Sequence, residues 1–506
     1  MTPPWIRVHV VDGRTYSING SVNHLKTIGA TARRIGRLTK IVTRRIVTGK
    51  LVGPSGLAYL PYQADGIRFA VERDDSLIAD DMGLGKTIQA IGVVNQSSTA
   101  NSILIICPKS LKANWTNEWE KWDVKGLDVS YNTNTKTFPD TDVVILNYDV
   151  VKKFRPIIDA RHWDVLIVDE CHYVKSQKST RTKVLLGHGK DPGVQADRRI
   201  FLSGTPIMNR PEELWTLCRA LDRDGLGRNW RRFHETYCNA YQDRWGWNTK
   251  GASNLEELSE RLRSSFMVRR LKKDVLTELP SKTRQIIALP PNGHGNLVDA
   301  EWIAYRNQKE VKEELKQAVQ EAGTDESYQS RVDELKMAYR IAFTETAKAR
   351  KAVALAKVPH VIEHVRNALE QGPVVLFAHH LEVIGNFRDA FDDVPHGVIT
   401  GDVSTKLRQE IVEEFQAGNL KLIIAGLRAA SEGITLTASS HVVFAELDWT
   451  PAKMTQAEDR VHRIGQDKPV LVQHLVMDAS LDANIADKLI EKQIIADRAL
   501  NVAEAA

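Results

Sequence analysis

The residues best suited to chemistry in this 506-residue chain begin with Lys86 and Thr87, which close the run Leu77-Ile-Ala-Asp-Asp-Met-Gly-Leu-Gly-Lys-Thr-Ile-Gln89. Leu77, Ile78 and Ala79 suit a buried strand end. Gly83 and Gly85 let the backbone turn tightly, with no side chain to hold a polyphosphate away. Asp81, Met82, Gly83, Leu84 and Gly85 then form a loop around the phosphates, Lys86 reaches their β and γ positions, and the Thr87 hydroxyl holds Mg²⁺. Asp80 stands where such a loop usually has its first glycine. Loops ending in Gly-Lys-Thr also arise by chance, so this one alone leaves ATP binding open.

Two further groups of residues narrow the chemistry. Asp164-Val-Leu-Ile-Val-Asp-Glu-Cys-His172 reads as a buried strand delivering two carboxylates to its end, where ligands sit in open α/β sheets. Asp169 is suited to hold Mg²⁺ and Glu170 to orient and deprotonate an attacking water. A helix-capping Asp-Glu pair is the plain alternative, but it does not explain a position roughly 80 residues after a phosphate loop. In Gln456-Ala-Glu-Asp-Arg-Val-His-Arg-Ile-Gly-Gln466, Arg460 and Arg463 would share one face of a helix and could point at one anion. That is the arginine-finger role on a transferring γ-phosphoryl group. Taken alone, a solvated charged helix would explain the same residues.

The elements that must position these groups alternate. From Gly56 to about Arg284, short apolar runs (Leu77–Ala79, Ile103–Cys107, Val143–Leu146, Val165–Val168, Ile200–Leu202) are separated by helical stretches, the pattern of a parallel sheet covered on both faces. Residues 208–265 leave that pattern as an insertion with Trp215, Trp230, Trp245 and Trp247, for which core packing is preferred over base stacking. Residues 286–356 predict an antiparallel helical pair broken at Ala322-Gly-Thr-Asp325, with Val332, Leu335, Tyr339 and Ala342 on one face. A second set of strands follows at Val374–Phe377, Val398–Thr400, Leu422–Ala425, Val442–Ala445 and Leu471–Leu475 within a lobe of residues 357–480. Residues 481–506 predict a helix (Ile485, Leu489, Ile490, Ile494) bracing back on the core.

In order, these motifs resemble the SWI/SNF-type helicase-like ATPases of helicase superfamily 2, over about 85% of the chain. Within that family the resemblance is to annealing helicases that rewind DNA and remodel forks, carried by Leu60-Pro-Tyr-Gln63, Phe377-Ala-His-His380 and His441-Val-Val-Phe-Ala-Glu-Leu-Asp-Trp449. The resemblance implies an α/β fold of two RecA-like lobes, residues 56–285 and 357–480, closing on ATP and Mg²⁺. It implies that Gln63 recognises adenine and that Gly433 and Gln456 join the nucleotide set. It implies nucleic-acid contacts at Pro108, Lys109, Ser110 and Leu111 and at Ser431, Gly433 and Thr435. Ser203 and Thr205, in Leu202-Ser-Gly-Thr-Pro-Ile207, would couple hydrolysis to strand binding. Phe266-Met-Val-Arg-Arg-Leu-Lys-Lys-Asp-Val-Leu-Thr-Glu-Leu-Pro280 resembles a signature that closes the first lobe. Departures are Asp81 for glutamate, Cys171 for a small residue and Thr450 for asparagine; they leave the reacting acid, amine and guanidinium groups in place.

Bulk properties agree with a DNA motor. The net charge is +5, yet residues 1–55 hold ten basic groups against the single acid Asp12, so that segment carries +9 and the remainder −4. It reads as a small α+β module with a hairpin turning at Asp12-Gly13, a short helix from Ser21 and a strand pair around Arg37–Val47, suited to docking on phosphates. A solvated lid on the first lobe is its alternative. Cys107, Cys171, Cys218 and Cys238 lack ligand spacing and are expected as buried free thiols. No signal core or apolar run near 18 residues is seen, so neither export nor a membrane span is expected. A cytoplasmic or nucleoid-associated monomer of bacterial or phage origin is the expectation. The expected function is an ATP-driven translocase on duplex or branched DNA, sequence-independent, that remodels or rewinds forks or recombination intermediates. A helicase separating single-stranded DNA or RNA is the alternative enzyme, and a clamp with a relict ATP site the non-enzymatic one.

Overall fold

The computed structural model describes residues 6–9, 15–18, 50–189, 191–207, 210–243, 246–276, 278–321, 326–427, 434–486 and 499–500. Near the N-terminus β1 (Ile6–His9) pairs antiparallel with β2 (Thr15–Ile18), Ile6 opposite Ile18 and His9 opposite Thr15, which is the expected hairpin. The helix from Ser21, the strand pair near Arg37–Val47 and most of the basic cluster lie outside the described residues.

The first lobe is built on β3 (Asp75–Ile78), β4 (Ile103–Cys107), β5 (Val129–Tyr131), β6 (Val143–Asn147), β7 (Val165–Val168), β8 (Arg198–Leu202) and, beyond the hairpin β9 (Tyr241–Asp243) and β10 (Gly246–Asn248), β11 (Met267–Val268). They form a sheet in the order β11-β3-β8-β7-β4-β6-β5, with every pairing parallel. Near-continuous Ile, Leu and Val runs suit such strands because helices bury both faces. Alternation divides them: Leu104, Leu146, Leu166 and Phe201 pack on one face, Ile103, Ile105, Ile145 and Ile167 on the other.

The second lobe repeats the plan. Strands β12 (Lys282–Leu289), β13 (Val374–Ala378), β14 (His396–Ile399), β15 (Leu422–Gly426), β16 (His441–Phe444) and β17 (Val470–Met477) form a parallel sheet in the order β12-β17-β16-β13-β15-β14. Its edge strand β12 precedes the helical pair in sequence and pairs with β17 over its whole length, Lys282 with Val470 and Leu289 with Met477. All the strands expected in both lobes are present. The strands β5, β9, β10, β11 and β12 are additional.

The helices Gly295–Glu321 and Glu326–Leu369 form the expected antiparallel pair. Ala318 clusters with Val332, Thr346 Oγ1 donates to Ala304 O at 3.1 Å, and Asn292 meets His360. The second helix runs on past residue 356, because Val358, Val361, Val365 and Ala368 continue an apolar face into the second lobe's core. The break at residues 322–325 lies outside the described residues.

Within the 208–265 insertion, Trp215 is buried with Phe233 and Tyr237 and Trp230 stacks on His234 at 4.1 Å, so its described tryptophans are packing residues; Trp245 is outside the described residues. At the C-terminal end Ile485 and Ala486 pack into the second lobe while Ala499 and Leu500 pack into the first. Leu489, Ile490 and Ile494 are outside the described residues. The four cysteines are buried free thiols, as expected. Among the described residues no helix is long and apolar enough to cross a membrane.

Candidate functional site

The strand β3 ends in a loop that turns into the helix Lys86–Asn95. Gly83 (φ 80°) and Gly85 (φ 72°) take left-handed conformations that side chains disfavour. A Cβ on Gly85 would lie 2.5 Å from Gln63 Nε2, and one on Gly83 3.2 Å from Arg463 Cβ. Gly83 thus also allows the two lobes to approach. Lys86 Nζ donates to the Asp80 carbonyl at 2.9 Å and the Asp81 carbonyl at 3.2 Å. Burial lowers its pKa, against the pull of Glu170, Asp80 and Asp169.

Asp80, the departure from glycine, is fully buried. Its oxygens accept from Arg270 Nη2 at 2.7 Å, Arg270 Nε at 3.0 Å and Gln89 Nε2 at 2.9 Å. Asp81 accepts from Arg269 Nη2 at 3.1 Å and from the Lys272 amide at 3.0 Å. Both loop acids therefore bind the signature that ends the first lobe, and neither Asp81 nor the buried Leu84 lines the cavity below the loop.

Asp169 and Glu170 follow β7. Asp169 Oδ2 accepts from Trp115 Nε1 at 2.8 Å and its Oδ1 from the Glu170 amide at 2.9 Å. Burial, then the neighbouring Glu170 charge, push the Asp169 pKa up to about 6, against those hydrogen bonds and Lys86. Glu170 sits at φ 50°, ψ 50°, a left-handed backbone that costs a non-glycine residue roughly 1–2 kcal/mol and is typical of functional positions. Burial would raise the Glu170 pKa, but His172, Lys86 and Arg460 outweigh it and hold it below the usual value. Glu170 Oε2 lies 3.1 Å from His172 Nδ1, which is 3.4 Å from Ser203 Oγ. Ser203 Oγ accepts from the Thr205 amide at 3.1 Å. Thr205 Oγ1 in turn accepts from Gln456 Nε2 at 3.4 Å. This chain of contacts runs from Glu170 into the second lobe.

A cavity of about 330 Å³ gathers these groups. The first lobe contributes Met82, Gly83, Gly85, Lys86, Thr87, Asp169 and Glu170, and the second Thr435, Gln456, Arg460 and Arg463. Arg460 and Arg463 do not lie on a helix as expected. The helix Pro451–Glu458 stops before them, because Asp459 is drawn into ion pairs with Lys272 and Lys282; the arginines follow on a turn, and both still reach the cavity. Arg463 Nη1 donates to Thr435 Oγ1 at 3.0 Å, and burial lowers its pKa.

Other expected residues stand elsewhere. Gln63 is buried behind the loop, its Oε1 accepting from the Leu60 amide at 3.0 Å and its Nε2 donating to Leu84 O at 3.4 Å. Pro108, Lys109 and Ser110 stay outside the cavity, whereas Leu111 and Thr435 line it beside the phosphate loop. Ser431 and Gly433 lie outside the described residues. Asn114, Glu118, His172, Tyr173 and Lys453 also line the cavity, none of them expected there from the sequence. Asn114 and Glu118 sit in the first two turns of the helix Lys112–Trp122, just after the expected contacts Pro108–Leu111, and His172 ends the run Asp164–His172, so nearness to those residues was the available signal.

Residues 62–341 match the SNF2-related domain and residues 356–465 the helicase conserved C-terminal domain. The chain is 36% identical over 87% of its length to the DNA annealing helicase and endonuclease ZRANB3 of Homo sapiens, covering 40% of that protein. It is 34% identical over 86% of its length to the SWI/SNF-related matrix-associated actin-dependent regulator of chromatin subfamily A-like protein 1 of Xenopus tropicalis, covering 44% of it. The chain thus spans about two fifths of the length of these relatives. The Sulfolobus solfataricus SWI2/SNF2 ATPase core solved with dsDNA aligns over 90% of this chain and 96% of that one, at 22% identity and a TM-score of 0.42. Both curated relatives are animal proteins and lend no support to a bacterial or phage origin.

Proposed function

This chain belongs to the SNF2-related family, and from that premise we propose that it is a DNA-dependent ATPase whose two lobes form a translocating motor. The observation that carries the reading is one cavity lined by Lys86, Thr87, Asp169 and Glu170 from one lobe and Arg460 and Arg463 from the other. Few other uses need an amine, two carboxylates and two guanidinium groups around a glycine loop at a helix start.

In this reading Lys86 binds the β- and γ-phosphates of ATP, in a cavity that Gly83 and Gly85 also line. The Thr87 hydroxyl and the Asp169 carboxylate fit a divalent cation such as Mg²⁺: both line the cavity, and a cation there would offset the burial and the Glu170 charge that raise the Asp169 pKa. When bound, that cation would neutralise charge on the phosphate oxygens. Glu170, held ionised by His172, Lys86 and Arg460, orients water and accepts its proton. Arg460 and Arg463 offset charge on the transferring group, and Gln456 and Thr205 transmit its departure between the lobes.

The substrate we propose is duplex or branched DNA, gripped by its backbone through Pro108–Leu111 and the segment containing Ser431, Gly433 and Thr435, without sequence preference. Fork or recombination-intermediate rewinding is the proposed outcome, supported by similarity to a protein named as a DNA annealing helicase. The motor is proposed to act as a monomer. The test is steady-state ATP turnover with no nucleic acid, duplex DNA, a forked junction, single-stranded DNA and RNA. Duplex or forked DNA is expected to stimulate most. Stimulation confined to RNA or single strands would replace this reading with a strand-separating helicase.

A further inference from the structure

The signature Phe266–Pro280 is absorbed by none of the steps above, yet it touches both halves of the cavity. Arg269, nearly buried, donates from Nη1 to Ala79 O at 2.6 Å and Gly204 O at 3.1 Å, and from Nη2 to Asp81. Three residues on, the Lys272 amide donates to the other Asp81 oxygen. The Lys272 side chain then crosses the cleft. Its Nζ donates to the His462 carbonyl at 2.5 Å and pairs with Asp459 Oδ1 at 3.0 Å. His462 Nε2 returns a bond to the Pro280 carbonyl at 2.7 Å, which fixes the proton on that nitrogen because a carbonyl only accepts. Asp459 and His462 flank Arg460 and precede Arg463. Lys272 Cε also lies 3.7 Å from where a Gly83 Cβ would stand.

We propose that Lys272 is a positioning residue that docks the turn carrying Arg460 and Arg463 onto the phosphate loop, setting the register in which both guanidinium groups meet the transferring phosphoryl group. The inference rests on the ATPase reading of the cavity.

Energetics decide what such a contact can do. Lys272 and Asp459 are 7% and 8% exposed. Removing both charges from water costs about as much as their attraction returns, so the pair adds little net closing force. It does exclude other registers, because a shifted turn would leave a buried ammonium without its acceptors. Asp459 is also held by Lys282 at 3.1 Å, from the edge strand of its own lobe, so the turn is already stiff when it arrives. A contact that fixes geometry without net binding energy acts on kcat and leaves ground-state affinity alone.

The test uses the full chain with Lys272→Met, which keeps length and removes charge and donors. On saturating duplex DNA, kcat is expected to fall roughly 10- to 100-fold, the loss associated with an ångström-scale misplacement, while KM for ATP stays within about threefold. Affinity for ADP should be unchanged, and affinity for ADP with aluminium fluoride should fall in step with kcat. A merely structural residue would not separate the two ligands. Lys272→Arg, which keeps a charged donor, should recover part of kcat. Should Lys272→Met fold poorly, the isosteric Asp459→Asn should show the same selective loss. Wild-type kcat in Lys272→Met or Asp459→Asn, or equal loss of both ligands, overturns the proposal. Absence of DNA-stimulated turnover in the unmodified chain would instead overturn the ATPase reading beneath it.

Discussion

Replacing Trp115 by phenylalanine isolates one hydrogen bond at the Asp169 carboxylate. Trp115 is fully buried, and its Nε1 donates to Asp169 Oδ2 at 2.8 Å. Phenylalanine keeps most of the apolar contact and removes the donor. A hydrogen bond to a charged group contributes about 1.5–3 kcal/mol, and one pKa unit corresponds to about 1.4 kcal/mol, so its removal should raise the Asp169 pKa by roughly one to two units. Starting from a value of about 6, the variant would titrate near 7–8. Asp169 must be ionised to hold a cation, so activity belongs to the basic side of its titration. At pH 7 the ionised fraction would fall from roughly nine tenths to between a half and a tenth, a two- to tenfold loss, recovered by pH 9.

The assay is the pH dependence of kcat/KM for ATP, which reports groups of the free enzyme. The acid limb should move up by one to two units while the plateau above pH 9 stays near wild type. A thermal melt guards against a folding artefact, since the smaller ring leaves a void costing on the order of 1–3 kcal/mol. An acid limb that does not move, with the protein folded, would refute the reasoning: either Asp169 is not the group that titrates or the indole does not govern its ionisation.

Three other perturbations test separate parts of the chain. Glu170→Gln should bind ATP and DNA yet hydrolyse at least about a hundredfold more slowly, consistent with general-base contributions; near-normal turnover would remove Glu170 from its role. Glu301 is buried, accepts from the Leu481 amide at 2.9 Å, and is raised by that burial to about 7 from its usual 4.5. Its folded pKa lies above the unfolded one, so its contribution is favourable at low pH and is lost as pH rises through 7. Glu301→Gln keeps the acceptor and should gain up to about 3 kcal/mol over wild type between pH 4.5 and 8; parallel melting curves across that range would contradict this. Deleting residues 1–50 should weaken duplex binding and lower the salt slope by about 0.9 for each DNA phosphate the segment neutralises, and an unchanged slope would mean that the basic cluster is not a docking surface.

The strands were legible because each is a short apolar run with both faces covered: Ile103–Cys107 and Val165–Val168 emerge residue for residue. The edge strand Lys282–Leu289 was not, since most of its side chains face water and it straddles the boundary expected at residue 285 between the first lobe and the helical pair. Its purpose is long-range. Lys282 Nζ and Arg284 Nη2 meet Glu458 Oε2 at 2.8 and 2.6 Å, and no local pattern announces a partner so far along the chain. Lys86, Thr87, Asp169 and Glu170, which the structure brings to one cavity, stood out because a glycine turn at a helix start and an adjacent pair of acids at a strand end are local patterns. The turn that carries Arg460 and Arg463 could not, because it is set by Asp459 answering to Lys272 and Lys282 in two different lobes.

The loop's own departures carry the same lesson one step further. Asp80 and Asp81 looked like tolerated irregularities in a glycine loop. In three dimensions they are the sockets for Arg269, Arg270 and the Lys272 amide, which lie roughly 190 residues away. The phosphate loop and the signature are therefore one unit of structure written in two places. A glycine at position 80 would satisfy the loop's backbone while leaving the nearly buried Arg270 guanidinium without its carboxylate, a change that typically costs several kcal/mol when a buried pair is broken. That is why the acid belongs there, and why a loop motif judged by its glycines alone undervalues this site.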